Sequence, residues 1–244
     1  MGSMKEDRAE IFWRTALSDC DAVPFPNFPA SLKHPVADGL IHHDIPLLGS
    51  PTLDIICAAW ALVVGRTTNS EDVVFGITVS RGDAVVAPIL STVPMRIQHA
   101  AAHMTVSEHL HQVQRQVLDV MTVEPIGLHE IARISPDCQR ACKFQTLLDI
   151  GLHDDDELGQ IPCHHHNGGP SKRESPYALV LRIRMGIRKI HATARFDSRA
   201  ITPWMTQKMM DRLEFVMAQF DTELDSALSS MTLLTNHDVQ EIWK

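Results

Sequence analysis

DVVFGITVSRGDAVVAPILSTVPMR, residues 72–96, is the stretch of sequence that decides the fold. Val73 to Val79 is a β-branched and aromatic run, short enough to be a buried strand. Leu90 to Ile97 is a second run of this kind, and a segment containing glycine and proline separates the two. The stretch therefore predicts two neighbouring core strands.

Patterns on both sides of this stretch predict further helices and strands. Ser50-Pro51 and Thr202-Pro203 each place an oxygen cap before a proline, which favours the start of a helix. Thr105 and Glu108 have the spacing of a capping box. Helices are predicted over residues 6–18, 50–66, 105–120 and 127–134, and from 202 onward. An edge strand is predicted over residues 40–47, a strand over 144–150, and an antiparallel hairpin over 177–185 and 190–197, with Arg182, Arg184 and Arg195 on its solvent side. This order of elements predicts an α/β fold, a mixed β-sheet that forms a sandwich with helices.

Composition limits the classes of function. The 244 residues are 44% hydrophobic, enough for a packed core, and the net charge of −8 with no basic cluster argues against nucleic acid or an anionic membrane as a partner. The sequence has neither an apolar run long enough to span a bilayer nor a signal-peptide pattern. Five irregularly spaced cysteines favour reduced thiols over a disulfide framework. We therefore expect a cytoplasmic protein.

The opening stretch also resembles a known family, the nonribosomal peptide synthetases, in the carboxyl-terminal half of their condensation domain. That half carries a DVVFGxxVSGR strand followed by a VGxxxxTxPxR strand, and the version here is closest to fungal synthetases. The matching residues are Gly76, Val79, Ser80 and Arg81 in the first pattern and Pro88, Thr92, Pro94 and Arg96 in the second. The resemblance extends from Phe12 to Trp243.

The resemblance implies one lobe of a chloramphenicol-acetyltransferase-like fold, in which two lobes enclose a channel. In that family the catalytic His-His-x-x-x-Asp-Gly motif lies in the first lobe, which this chain is expected to lack. We expect residues 1–3 to be a cloning scar, residues 4–228 to be the carboxyl-terminal lobe, and residues 229–244 to be a linker toward a following adenylation domain. The segment between Arg81 and Pro88 is also shorter than the floor segment of the resembled family.

Two groups of candidate site residues follow. His34, Asp38 and Gly39 have part of the spacing of the catalytic motif, but Lys33 replaces its first histidine and a proline-rich connector precedes it, so an irregular surface loop is the competing interpretation. The resemblance implies that a second group lines the channel mouth or braces the lobe contact. This group comprises Arg81, Ser91, Thr92 and Arg96.

Metal binding has only incomplete support. Cys138 and Cys142 are four residues apart with no second cysteine pair, and adjacent ligands on a strand, as in His42-His43-Asp44, point to opposite faces. His153-Asp-Asp-Asp156 and Cys163-His-His-His166 lie in a polar segment without periodicity. We therefore expect neither a metal site nor a directly bound cofactor.

Three functions remain open at this point. The favoured one is a truncated, noncatalytic condensation lobe that packs against an adenylation domain. The second is the excised half of an active condensation domain, which joins phosphopantetheine-linked substrates delivered by carrier protein domains. The third is an independent acyltransferase that uses His34. A bare lobe is also expected to self-associate through the face that would meet its partner.

Overall fold

The computed structural model describes residues 3–46, 52–81, 89–99, 104–124, 126–151, 176–186, 189–235 and 238. In these ranges the helices are α1 (Ser3–Ala16), α2 (Leu53–Thr68), α3 (Val106–Thr122), α4 (Leu128–Ile134), α5 (Pro136–Ala141) and α6 (Pro203–Thr222). The strands are β1 (Gly39–Pro46), β2 (Asp72–Arg81), β3 (Ile89–Gln98), β4 (Thr146–Gly151), β5 (Leu179–Met185) and β6 (Lys189–Phe196).

All six strands join one mixed sheet in the order β1-β6-β5-β4-β2-β3. The pairs β2–β4 and β4–β5 are parallel, while β2–β3, β5–β6 and β1–β6 are antiparallel. This arrangement confirms the α/β class, the two strands of the opening stretch and the β5–β6 hairpin. It also places β1 at an edge of the sheet, as predicted.

One face of the sheet forms the main core. Side chains of β6 alternate between buried and less buried positions, so Ala192, Ala194 and Phe196 point to the same face. Their partners on β5, Leu181 and Ile183, are also buried. Helix α2 packs against both α3 and α6, and all ten of its residues from 56 to 65 are buried. An apolar helix with no polar side therefore becomes the centre of the helical layer.

A close contact on the other face explains one glycine of the opening stretch. A Cβ atom added to Gly76 would lie 2.3 Å from the Phe144 ring, far inside van der Waals contact. The Phe144 ring in turn stacks on Tyr177, with 5.3 Å between ring centroids. The connector after α1 is attached to β4, because the Thr146 hydroxyl donates to the Phe25 carbonyl at 2.6 Å. Gly76 thus allows an aromatic pair to pack directly on β2.

The structure differs from the sequence prediction most clearly in two element starts and one additional helix. Helix α2 begins at Leu53 with Thr52 as its N-cap, while Ser50 and Pro51 lie outside the described residues. Helix α5 was not predicted, although the Ser135 hydroxyl caps it and Pro136 occupies its first position. Strand β4 begins only at Thr146, and the preceding Phe144 places its ring against Gly76 of β2. Among the described helices, none has the length and apolar character needed to cross a bilayer.

Candidate functional site

Three of the predicted channel residues lie where β2 ends and β3 begins. Arg81 is the last residue of β2 and pairs with Ile89, but its side chain lies outside the described set. Ser91 pairs with Val79, which points to the helix-covered face, and Thr92 pairs with Thr78. Adjacent strand residues point to opposite faces, so the Ser91 and Thr92 hydroxyls lie on different sides of the sheet. A channel that runs along one face of the sheet can therefore be lined by only one of these two hydroxyls.

Arg96, the fourth predicted channel residue, lies in an internal ion pair. Its Nε donates to Asp72 Oδ1 at 2.8 Å and its Nη2 donates to Asp72 Oδ2 at 2.7 Å. Further guanidinium bonds go to the carbonyls of Ser18 and Asp19 at the end of α1. Both charged side chains are only 8% exposed. The guanidinium therefore joins β3, β2 and the end of α1 at one point.

The electrostatics of this pair agree with its geometry. Burial opposes ionisation of Asp72, but the hydrogen bonds and positive charge of Arg96 outweigh it and lower the pKa of the carboxyl. The hydrogen bond to Asp72 likewise raises the pKa of Arg96. Both groups stay charged across the physiological range. These contacts support a bracing role for Arg96 within the domain, and leave its guanidinium little capacity to bind a substrate.

His34 and Asp38 make separate contacts in the described part of the chain. The His34 side chain is exposed, and its backbone carbonyl accepts from Arg199 Nη2 at 3.2 Å. The Asp38 carboxylate accepts bonds from the backbone N–H and the hydroxyl of Ser198, both at 2.7 Å. These bonds lower the pKa of Asp38. Asp38 therefore closes the turn after β6.

The histidines of β1 take part in separate contacts. His43 Nε2 lies 2.7 Å from Glu214 Oε2, and His43 Nδ1 lies 3.7 Å from Asp211 Oδ1, so His43 ties β1 to α6. Asp44 is on the opposite face, 2.6 Å from Lys189 Nζ and 2.8 Å from His191 Nδ1. Within the described ranges no group of three or more side chains could hold a metal ion. The two polar tracts over residues 153–156 and 163–166 lie outside those ranges.

The structure brings together one charged group that sequence reasoning missed. Asp149 on β4 accepts from Arg182 Nε at 3.0 Å and from Arg184 Nη2 at 3.1 Å, both on β5. The arginines were predicted to face solvent, but their side chains are only 25% and 22% exposed. The group lies on the same sheet face as Thr92, near the carboxyl ends of parallel strands, where open α/β sheets commonly bind ligands. It has two cations and one anion, which suits binding of a negative group better than proton transfer.

The fold is that of a class of mixed α/β domains, the chloramphenicol-acetyltransferase-like type. A family model described as Condensation domain matches residues 48–243. The nonribosomal peptide synthetase dtxS1 of Metarhizium robertsii is 37% identical over an alignment that covers 98% of this chain and 3% of the relative. Peramine synthetase ppzA of Metarhizium rileyi is 38% identical over 98% of this chain and 9% of the relative. The chain belongs to the condensation domain family of nonribosomal peptide synthetases.

Solved structures agree with this assignment at the level of the fold. The starter condensation domain of rhizomide synthetase RzmA, in a mutant form, superposes with a TM-score of 0.67 at 14% identity. The match covers 95% of this chain and 55% of that one. The X-domain in a complex with OxyB from teicoplanin biosynthesis gives a TM-score of 0.68 at 17% identity, and the match covers 94% of this chain and 56% of that one. The present chain thus spans little more than half of these solved domains and a small fraction of the fungal synthetases.

Proposed function

We propose that this chain is a noncatalytic condensation lobe that serves as a packing partner for a following adenylation domain. The observation that carries the proposal is that the Asp38 carboxylate is already hydrogen-bonded to Ser198. In the family resemblance, catalysis depends on a His-His-x-x-x-Asp-Gly motif, and these 244 residues contain no such motif. The one partial match commits its carboxylate to Ser198 and leaves its imidazole in solvent.

The remaining candidate residues support a structural role. The Arg96 guanidinium is bound to Asp72 and to two carbonyls, and His43 is bound to the carboxylates of α6. On this proposal the chain binds no cofactor directly, and phosphopantetheine stays on the carrier domains of the parent synthetase. Arg81, Ser91 and Thr92 would contact a neighbouring lobe or domain and would not bind a substrate.

A deletion experiment tests the scaffold role. The adenylation domain that follows in the same polypeptide is prepared with and without residues 4–228, and its thermal unfolding and adenylate formation are measured. We expect the domain without the lobe to unfold at a lower temperature and to adenylate its amino acid with the same specificity. Equal unfolding temperatures would contradict the scaffold role. Changed specificity would point to a direct part in substrate choice.

A second candidate is the excised half of an active condensation domain. It is favoured because this chain covers only about half of the solved domains that it matches. In that case a separate lobe supplies the histidine, and the channel holds the amine near the thioester. The reading frame before Met4 separates the two candidates. An open frame that encodes His-His-x-x-x-Asp-Gly supports the second, and a stop codon supports the first.

A further inference from the structure

A cavity of about 440 Å³ lies beside β3, the strand at the edge of the sheet opposite β1. Its lining comes from residues 11–13 and 15–17 of α1, residues 94–96 of β3, and Gln116, Asp119 and Val120 of α3. Sites for small molecules commonly have a volume of roughly 300 to 1,000 Å³ and a mainly apolar lining with a few polar groups. The cavity therefore has the size of a small-molecule site.

Two buried polar atoms in this lining lack a partner. Trp13 is only 1% exposed, and its indole Nε1 has no hydrogen-bond partner in the part of the chain that the structure describes. The same holds for the side-chain oxygen of Gln116, Oε1. Nearly all buried polar atoms in native proteins are hydrogen-bonded, and an unpaired one is costly. An indole N–H can only donate and an amide oxygen can only accept, so the cavity offers one donor and one acceptor.

The rest of the lining is mainly apolar, and its charge disfavours an anion. Phe12 and Met95 are among the apolar lining residues. Arg96 also lines the cavity, but its charge is neutralised by Asp72 at 2.7 Å. The other charged lining residue is Asp119, which is exposed to solvent. The lining thus has a net negative charge, which repels an anionic ligand.

We infer that this cavity binds a small uncharged amphiphile, an apolar chain or ring that carries an amide with a free N–H. The amide carbonyl accepts from Trp13 Nε1, and the amide N–H donates to Gln116 Oε1. An amide suits these two atoms better than a hydroxyl does. Trp13 and Gln116 lie on different helices, and an amide has its acceptor and its donor on separate atoms. This binding does not require the scaffold role proposed above.

The test is a titration with phenylbutanamide followed by NMR. The chain has four tryptophans, and the indole N–H signal of Trp13 is assigned by triple-resonance spectra. We expect this signal to shift and to saturate, with a dissociation constant below about 1 mM, because the probe fills apolar space and makes two hydrogen bonds. Absence of a saturable shift would overturn the inference.

Two analogues of the probe test the polar contacts. The dimethylamide of the same acid keeps the carbonyl but has no N–H, and phenylbutanoate has no N–H and carries a negative charge. Each should bind about tenfold more weakly than phenylbutanamide, because Gln116 Oε1 stays unpaired and Asp119 repels the carboxylate. Equal binding of all three compounds would show apolar partitioning only and would contradict the assigned hydrogen bonds.

Three variants complete the test. Gln116→Leu removes the acceptor at similar size, so phenylbutanamide should bind about tenfold more weakly and no better than its dimethylamide. Ala16→Phe places a ring at the lining, and because Ala16 is exposed the chain should still fold while all three compounds lose affinity. Leu118→Ala is the matched control on α3. Leu118 is 55% exposed and outside the lining, so the three affinities should not change.

Thermal unfolding without a ligand separates a ligand site from a water site. If the two polar atoms stay unpaired in the free protein, Gln116→Leu should unfold at the same or a higher temperature, because a buried unpaired acceptor is lost. If ordered water binds both atoms, Gln116→Leu should unfold at a lower temperature than the unchanged chain. That lower temperature, together with failure of phenylbutanamide to bind, would assign the cavity to water and overturn the inference.

Discussion

Replacing Arg96 with Met tests whether this arginine braces the domain. The substitution keeps an apolar stem of similar length and removes the guanidinium, leaving the buried Asp72 carboxylate without its ionic partner. Each side chain of the pair is 8% exposed, and breaking such a buried pair from one side costs about 3 to 5 kcal/mol. For a domain of this size each kcal/mol lowers the unfolding temperature by about 2 to 4 °C. We therefore expect a fall of roughly 6 to 20 °C.

The matched control is Lys189→Met. Lys189 and Asp44 also form an ion pair, with 2.6 Å between Nζ and Oδ2, but their side chains are 47% and 54% exposed. Solvent screens this pair, so its loss should change the unfolding temperature little. The assay is thermal and urea unfolding followed by circular dichroism. If Arg96→Met were as stable as Lys189→Met, the bracing role would be refuted, and Arg96 would be available to line a channel as the family resemblance implies.

The remaining predictions concern pH, the Asp38 turn and association. Burial, together with the neighbouring His99, lowers the pKa of the fully buried His109 to about 3. The imidazole therefore binds a proton in the unfolded state at a higher pH than in the folded state, and stability is lost as the pH falls below about 6.5. At pH 5 this loss is about 2 kcal/mol, and His109→Leu should reduce the difference in unfolding free energy between pH 7 and pH 5 by that amount. An unchanged difference would show that His109 is not the titrating group. Asp38→Ala should lower the free energy of unfolding, measured with urea, by about 1 kcal/mol, and His34→Ala should leave it unchanged. Equal effects of the two substitutions would contradict the structural role of Asp38. The chain should also self-associate, which sedimentation velocity at increasing concentration would reveal, and a single monomeric species at high concentration would contradict it.

Local patterns were sufficient to predict most of the elements. The Thr105–Glu108 capping box is present, with the Thr105 N–H bonded to Glu108 Oε2 at 2.9 Å, and α6 begins after Thr202 as its Thr-Pro start indicates. These features depend on residues at most four positions apart, so a single sequence contains them. Helix α5 was missed because six residues contain too few turns to show a periodic pattern.

Contacts between distant residues account for what the sequence did not predict. The insertion of β4 between β2 and β5 follows from strand pairing over long separations, which no local pattern encodes. Arg96 and Asp72 are both in the opening stretch, yet their pairing follows from the register of β2 and β3. Asp38 and Ser198 are 160 positions apart, so a motif-like spacing around His34 could not show that the carboxylate is already engaged.

A condensation assay tests the central claim most directly. Donor and acceptor groups are loaded as thioesters on their carrier proteins, the 244-residue chain is added in excess, and the peptide product of a single turnover is quantified by mass spectrometry. We predict that the product forms at the rate measured without the chain, and that His34→Ala leaves this rate unchanged. Faster peptide bond formation with the chain present would contradict the noncatalytic role, and its loss in His34→Ala would identify His34 as the residue responsible.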